Sequence, residues 1–178
     1  MNTRLSQASN ARSKRLTPVR PSFGGEVLSP EILRDSARHG EIDLPAFWER
    51  NSKPTRTPEI VACAQALRGM YTRLGAIGFC FGGWAVFRLG SKSHPSPLVD
   101  CISTAHPAKL EDDEMQEVGV PVQIMAAEHD ELFEADRRDA ANGIIPRRGV
   151  AMTISIFQVR SMGLRREGTW VIRRKWKR

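Results

Sequence analysis

No apolar run in this 178-residue chain reaches the roughly 18 residues that a membrane-crossing helix needs. The longest apolar windows lie around 76–87 and 118–127, which argues against a transmembrane role. Cysteine is scarce as well. Cys63, Cys80 and Cys101 include no C-x-x-C pair and no even-numbered set, so neither a zinc ribbon nor a disulfide framework is expected. A reducing compartment, the cytoplasm, fits this usage best. Histidine is limited to His39, His94, His106 and His129, with none later in the chain. These four do not form a spaced ligand set, so no metal or other cofactor is expected.

Hydrophobic residues make up 40% and charged residues 26%, a globular rather than a disordered or fibrous balance. The net charge of +7 is unevenly spread. Residues 1–25 carry five basic and no acidic side chains, and 151–178 carry eight basic ones against Glu167 alone. Residues 26–150 carry 14 basic and 19 acidic side chains, so the middle is mildly acidic. The positive charge thus sits at the termini and does not describe a basic face on a folded domain. No stacking motif or reading helix supports nucleic-acid recognition, and the tail Arg173, Arg174, Lys175, Trp176, Lys177 and Arg178 would suit RNA, lipid or a targeting receptor equally. The leader over 1–28 is rich in Ser, Arg, Pro and Gly. It reads as disorder, with a loose likeness to a mitochondrial transit peptide as the alternative.

Between the basic ends the pattern alternates strand and helix. Thr57-Pro58-Glu59 resembles a capped helix start, and Ile60, Cys63, Ala64, Leu67 and Met70 follow on one side at helical spacing. Residues 45–48 suggest a shorter helix before it. Strands are expected over 74–79, 98–104, 120–126 and 151–157, with helices over 84–89, 110–117 and 131–141. The acidic run 111–114 reads as a solvated helix start. This rhythm predicts a parallel sheet covered by helices.

The segment Gly78-Phe79-Cys80-Phe81-Gly82-Gly83 has the spacing of a nucleophile elbow. A nucleophile there sits on a tight strand-to-helix turn, and small residues two before and two after it keep the turn clear. Cys80 would then stand at the carboxyl end of the sheet, near a helix amino terminus whose N–H groups favour an anion. The Phe81 N–H would be one oxyanion donor. A buried structural cysteine beside a close-packed glycine turn is the competing reading. Asp130 follows a strand directly and would be the acid that orients a base, with Glu128 as alternate, although on sequence alone loop capping or a surface ion pair accounts for it more readily. The base itself is hard to find. His129 adjoins the acid in sequence, while His94 and His106 precede it and read as loop residues.

These residues resemble the dienelactone hydrolase family, in particular its fungal-type members. The likeness spans about 29–168 and includes Phe47-Trp48-Glu49-Arg50-Asn51, the helix from Pro58, the elbow, His106-Pro107, and the stretch from Val120 through Asp130 to Phe133. It implies an α/β-hydrolase-type, mostly parallel sheet with helices on both faces, and a Cys-Asp-His triad acting on lactone or ester bonds. Cys80 and Asp130 match two triad members. The family's third, a histidine in a His-Gly-Phe motif, is matched by Met162 in Met162-Gly163-Leu164, 32 residues after Asp130. A thioether cannot accept the thiol proton, so the match implies weak or absent turnover. The family's amino-terminal strands and terminal helix find no counterpart, as though the sequence were shortened at both ends. The expected layout is therefore a leader over 1–28, a partial hydrolase-like domain over 29–168 and a basic tail over 169–178. A small-molecule lactone or ester is the implied substrate. The alternative is a non-catalytic member that binds a protein partner, with Trp48, Trp84 and Phe87 assigned to the core.

Overall fold

The computed structural model describes residues 29–157, apart from 30, 33 and 34. The leader over 1–28, Met162 and the tail over 169–178 lie outside the described residues. Strands β1 (Gly75–Phe79), β2 (Cys101–Ala105), β3 (Val122–Ala127) and β4 (Met152–Phe157) pair in parallel, and their spatial order follows the chain. Helices α1 (Leu44–Arg50), α2 (Lys53–Met70), α3 (Gly82–Leu89), α4 (Asp112–Glu117) and α5 (Ala135–Ile144) flank them. This is the α/β-hydrolase-type arrangement that the sequence predicts. Among the described residues no helix is long and apolar enough to cross a membrane.

Strand period decides which side chains make the core. Val122, Ile124 and Ala126 of β3 point to one face, where Ile102 of β2 joins them. Val86 and Phe87 of α3, Met115 of α4 and Ala141 of α5 pack onto that face with Phe133 and Ile145. Burying each of the larger side chains is worth about 1.5–3 kcal/mol. The other face of β1 carries Ile77 and Phe79, which are 67% and 62% exposed. Beside them on this face, Ser103 Oγ donates to Gln123 Oε1 at 3.1 Å, a polar cross-strand pair.

Local chemistry sets the element ends. Asp43 caps α1, its Oδ1 accepting the Ala46 N–H at 2.9 Å. The longest helix does not start at Thr57 as its sequence suggests. Two prolines four residues apart mark two possible starts, and the earlier is used: Ser52 is the extended cap and Pro54 falls in the first turn. Pro58 is then carried inside the helix, where it lacks one donor, and the Thr57 hydroxyl donates to the Lys53 carbonyl at 2.7 Å. Ile60 and Ala64 are buried, but Met70, expected on the same stripe, is 71% exposed. Burial is confined to the middle of α2, and Met70 belongs to its last turn before the chain becomes extended at Tyr71.

The start of β1 is fixed by one carboxylate. Asp100 Oδ2 accepts the Leu74 N–H at 2.7 Å and Arg68 Nη1 at 3.0 Å, while the Asp100 N–H donates to the Leu74 carbonyl at 2.7 Å. The Arg68 hydrogen bond, reinforced by the Leu74 N–H, holds this carboxyl below its ordinary value. It ties the end of α2 to the entry of both β1 and β2. That fixes where β1 emerges at its other end.

Candidate active site

Where β1 runs out, Cys80 turns the chain into α3 with a φ of +51°, a left-handed conformation that residues with a β-carbon seldom adopt. Three backbone hydrogen bonds hold it there. The Cys80 N–H donates to the Ala105 carbonyl at 3.1 Å, and the Cys80 carbonyl accepts from Gly83 and Ala108, each at 2.9 Å. The turn is thus locked both to its own helix and to the loop after β2. The Cys80 thiol is free and partly exposed, and it is not buried in the core.

Gly78 is required by contact. A β-carbon there would overlap the Gly82 carbonyl and come within 3.0 Å of Val86 Cγ1. Gly82 itself has open space around the position of a β-carbon, so the expectation that both flanking residues must be small holds at Gly78 and fails at Gly82. The second obligatory glycine is Gly83. A β-carbon there would lie 2.5 Å from Pro107 Cβ and 3.0 Å from Thr104 Oγ1, because α3 begins hard against the loop after β2. Sequence reading passed over this contact; Gly83 and Pro107 lie 24 positions apart.

An aromatic wall flanks the turn. The Phe81 ring is 5.3 Å from that of Trp84 and 5.1 Å from that of Trp48, and Lys109 Nζ stands 4.4 Å above the Trp48 ring. Trp84 is buried at 2% exposure, as expected for core. Trp48 is not core: at 37% exposure it forms the rim, its indole meeting the Phe81 ring edge to face. Its polar neighbours Glu49 and Arg50 were the available signal for an exposed position.

Asp130 lies just past β3, whose parallel pairing puts it on the same carboxyl edge as Cys80. With two strand spacings between β1 and β3, the two loops are roughly 10 Å apart across the sheet. Asp130 Oδ1 accepts the Leu132 N–H at 3.0 Å, which fixes the loop, and the buried Phe133 pins its far end. Asp130 Oδ2 is buried and has no hydrogen-bond partner among the described residues. An unpaired buried acceptor costs about 1–3 kcal/mol, so this oxygen is set to receive a donor. It borders a cleft of ≈ 340 Å³ lined also by Glu128, His129, Glu131, Glu134 and Arg138. Arg138 is engaged elsewhere, donating to the Ala127 and Phe133 carbonyls. Glu128 is partly buried beside β4, its N–H bonded to the Phe157 carbonyl at 2.9 Å.

The histidines are scattered. His39 lies in the 3₁₀ turn Ser36–Glu41, and His94 Nε2 meets the Arg88 carbonyl at 2.8 Å beyond the far end of α3. His106 and His129 reach the carboxyl edge, both exposed. Among the described residues no group of three or more His, Cys, Asp and Glu side chains is arranged to hold a metal ion.

Residues 24–161 match the family described as the dienelactone hydrolase family. Among curated proteins, the chain is 31% identical to Hydrolase tropI of Talaromyces stipitatus, a match covering 77% of this chain and 58% of that protein. It is 34% identical to Hydrolase pyvD of Aspergillus violaceofuscus, covering 82% of this chain and 60% of that one. The chain therefore spans about three-fifths of the length of these relatives. Among solved structures, a dienelactone hydrolase-like promiscuous phosphotriesterase, P91 from metagenomic libraries, superposes with a TM-score of 0.51 at 18% identity. That match covers 70% of this chain and 52% of P91, a likeness of fold. With an elbow-like turn, a carboxylate on the same sheet edge and a family match across 24–161, this chain belongs to the dienelactone hydrolase family.

Proposed function

We propose that the chain is a slow hydrolase of small-molecule lactones or esters, with Cys80 as nucleophile and Asp130 as the carboxylate that orients the proton-transfer group. The observation that carries this reading is the +51° backbone of Cys80 at the β1–α3 turn. A non-glycine residue kept in that conformation by three hydrogen bonds is a strained feature of the kind that collects at reaction centres. In the reaction, Sγ adds to the carbonyl carbon, and the Phe81 N–H at the start of α3 steadies the oxyanion. Collapse expels the alkoxide, and water then attacks the thioester and releases the acid. Slow turnover follows from Met162, the match to the family's histidine, because loss of one triad member costs several orders of magnitude. A reporter ester such as p-nitrophenyl acetate tests the reading. Slow release of p-nitrophenolate by the parent chain, abolished in Cys80→Ser, is expected; equal release by both, or by neither, contradicts it.

A second reading, a non-catalytic member that binds a protein partner, is favoured by the exposure of Ile77 and Phe79 on one sheet face. Under that reading, Cys80→Ser leaves function intact, whereas Ile77→Thr with Phe79→Thr abolishes the association measured by sedimentation.

A further inference from the structure

We infer that His106 is the proton acceptor for the Cys80 thiol, in place of the histidine that sequence likeness seeks at position 162. The inference rests on the Cys80 reading above and goes beyond it in naming a base from another loop. Strand order supplies the first argument. β2 lies between β1 and β3, so the residue that leaves β2 at its carboxyl end stands between the Cys80 turn and the Asp130 loop. That residue is His106.

Hydrogen bonding supplies the second. Cys80 grips the backbone on both sides of His106: its N–H donates to the Ala105 carbonyl at 3.1 Å, and its carbonyl accepts the Ala108 N–H at 2.9 Å. His106 is anchored from the opposite side as well, its own N–H donating to the Met125 carbonyl of β3 at 2.9 Å. The imidazole is therefore mounted on a segment tied to the nucleophile and to the strand that leads to Asp130. Its ring lies 6.5 Å, centre to centre, from the ring of Phe79, which faces the open side of the sheet.

Backbone conformation supplies the third. Three non-glycine residues have positive φ among the described residues: Cys80 at 51°, His106 at 39° and Lys109 at 54°. Two of the three are the proposed nucleophile and the proposed base, and all belong to loops at the carboxyl edge of the sheet. Such strain persists where surrounding contacts over-determine it. The other imidazoles are placed less well. His94 is bonded at the far end of α3, and His129 sits beyond β3, one strand further from Cys80.

The chemistry balances without a further reagent. A ring nitrogen of His106 takes the Sγ proton as the S–C bond forms and the carbonyl electrons move to oxygen. The imidazolium returns that proton to the alkoxide as the C–O bond breaks. Water then loses a proton to the imidazole while adding to the thioester, and the departing sulfur is reprotonated.

The test uses the full chain with Cys63→Ala and Cys101→Ser, which leaves Cys80 as its one thiol. Acylation by p-nitrophenyl acetate and alkylation by iodoacetamide are followed at pH 7, with circular dichroism confirming the fold of each variant. His106→Gln and His106→Ala are expected to slow acylation by about 10²-fold, the low end for a lost general base. Free imidazole should restore the His106→Ala rate in proportion to its concentration while barely changing the parent. Unchanged acylation in His106→Gln overturns the proposal, as does imidazole acceleration equal in parent and variant, or a larger loss in His129→Gln. If the parent is not acylated, the nucleophile reading fails by itself, and alkylation decides the His106 proposal: slower in His106→Gln supports it, equal rates end it.

Discussion

A β-carbon at position 78 would be driven into the Gly82 carbonyl, whereas one at position 82 would meet nothing. The two glycines are alike in the motif and unlike in the molecule. Gly78→Ala is expected to lower the unfolding free energy by about 2–3 kcal/mol, and Gly82→Ala to change it by no more than about 0.5 kcal/mol, as read by urea denaturation. Cys80 itself has a left-handed backbone that costs an ordinary residue about 1–2 kcal/mol, so Cys80→Gly should raise stability by up to about 1 kcal/mol while removing the thiol. A gain in melting temperature with loss of acylation is the expected pair of results. The turn residues Gly78, Cys80 and Phe81 were legible as candidates because their spacing is local, and Asp130 because it directly follows an apolar run. Gly83 against Pro107 and Trp48 against Phe81 were not legible, since each contact joins segments that only the folded sheet brings together.

At the scale of elements, the parallel strands were readable from short apolar runs, and β4 also from its apolar-rich alternation. Helix starts were less so. Two equally good proline signals, at Pro54 and Pro58, lie within the first turns of α2, and nothing local to Thr57 reveals that Ser52 and Pro54 open the helix first. The Asp100 clamp shows how such elements are held in register. Asp100→Asn is expected to cost about 1 kcal/mol, a modest figure for a charged hydrogen bond because the side chain is 34% exposed. The pH dependence has a definite sign. The folded carboxyl lies below its ordinary value of 3.8, so its contribution is present above that pH and is lost as pH falls through the lower, folded value. Acid titration followed by circular dichroism should therefore show parent and Asp100→Asn converging at low pH. A difference that grows on acidification would contradict the assignment. Ion pairs between helices add less: Lys53 to Glu114 at 2.8 Å joins α2 to α4, and Arg137 to Asp112 at 2.8 Å joins α5 to α4, each worth about 0.2–1 kcal/mol.

For the whole molecule, the sheet has one face closed by Phe87, Met115 and their neighbours and another on which Ile77 and Phe79 stand open. Ile77→Thr is accordingly expected to change the stability of the isolated chain by less than about 0.5 kcal/mol. A loss above about 1.5 kcal/mol in urea denaturation would mean that this face is covered in solution. The same architecture gathers the residues proposed for the chemistry: parallel pairing sends the ends of β1, β2 and β3 to one edge, with Cys80, His106 and Asp130 following them in turn. Family and fold could be read from the elbow and the stretch that ends in Asp130. The proposed proton acceptor could not, because that question depends on which loops the sheet sets side by side. The most direct test of the central claim is the mass of the intact chain after brief exposure to p-nitrophenyl acetate, followed by peptide mapping. One acetyl group per chain, on Cys80 and absent from Cys80→Ala, is the expected result; an unmodified chain, or an acetyl group carried by another residue, would contradict it.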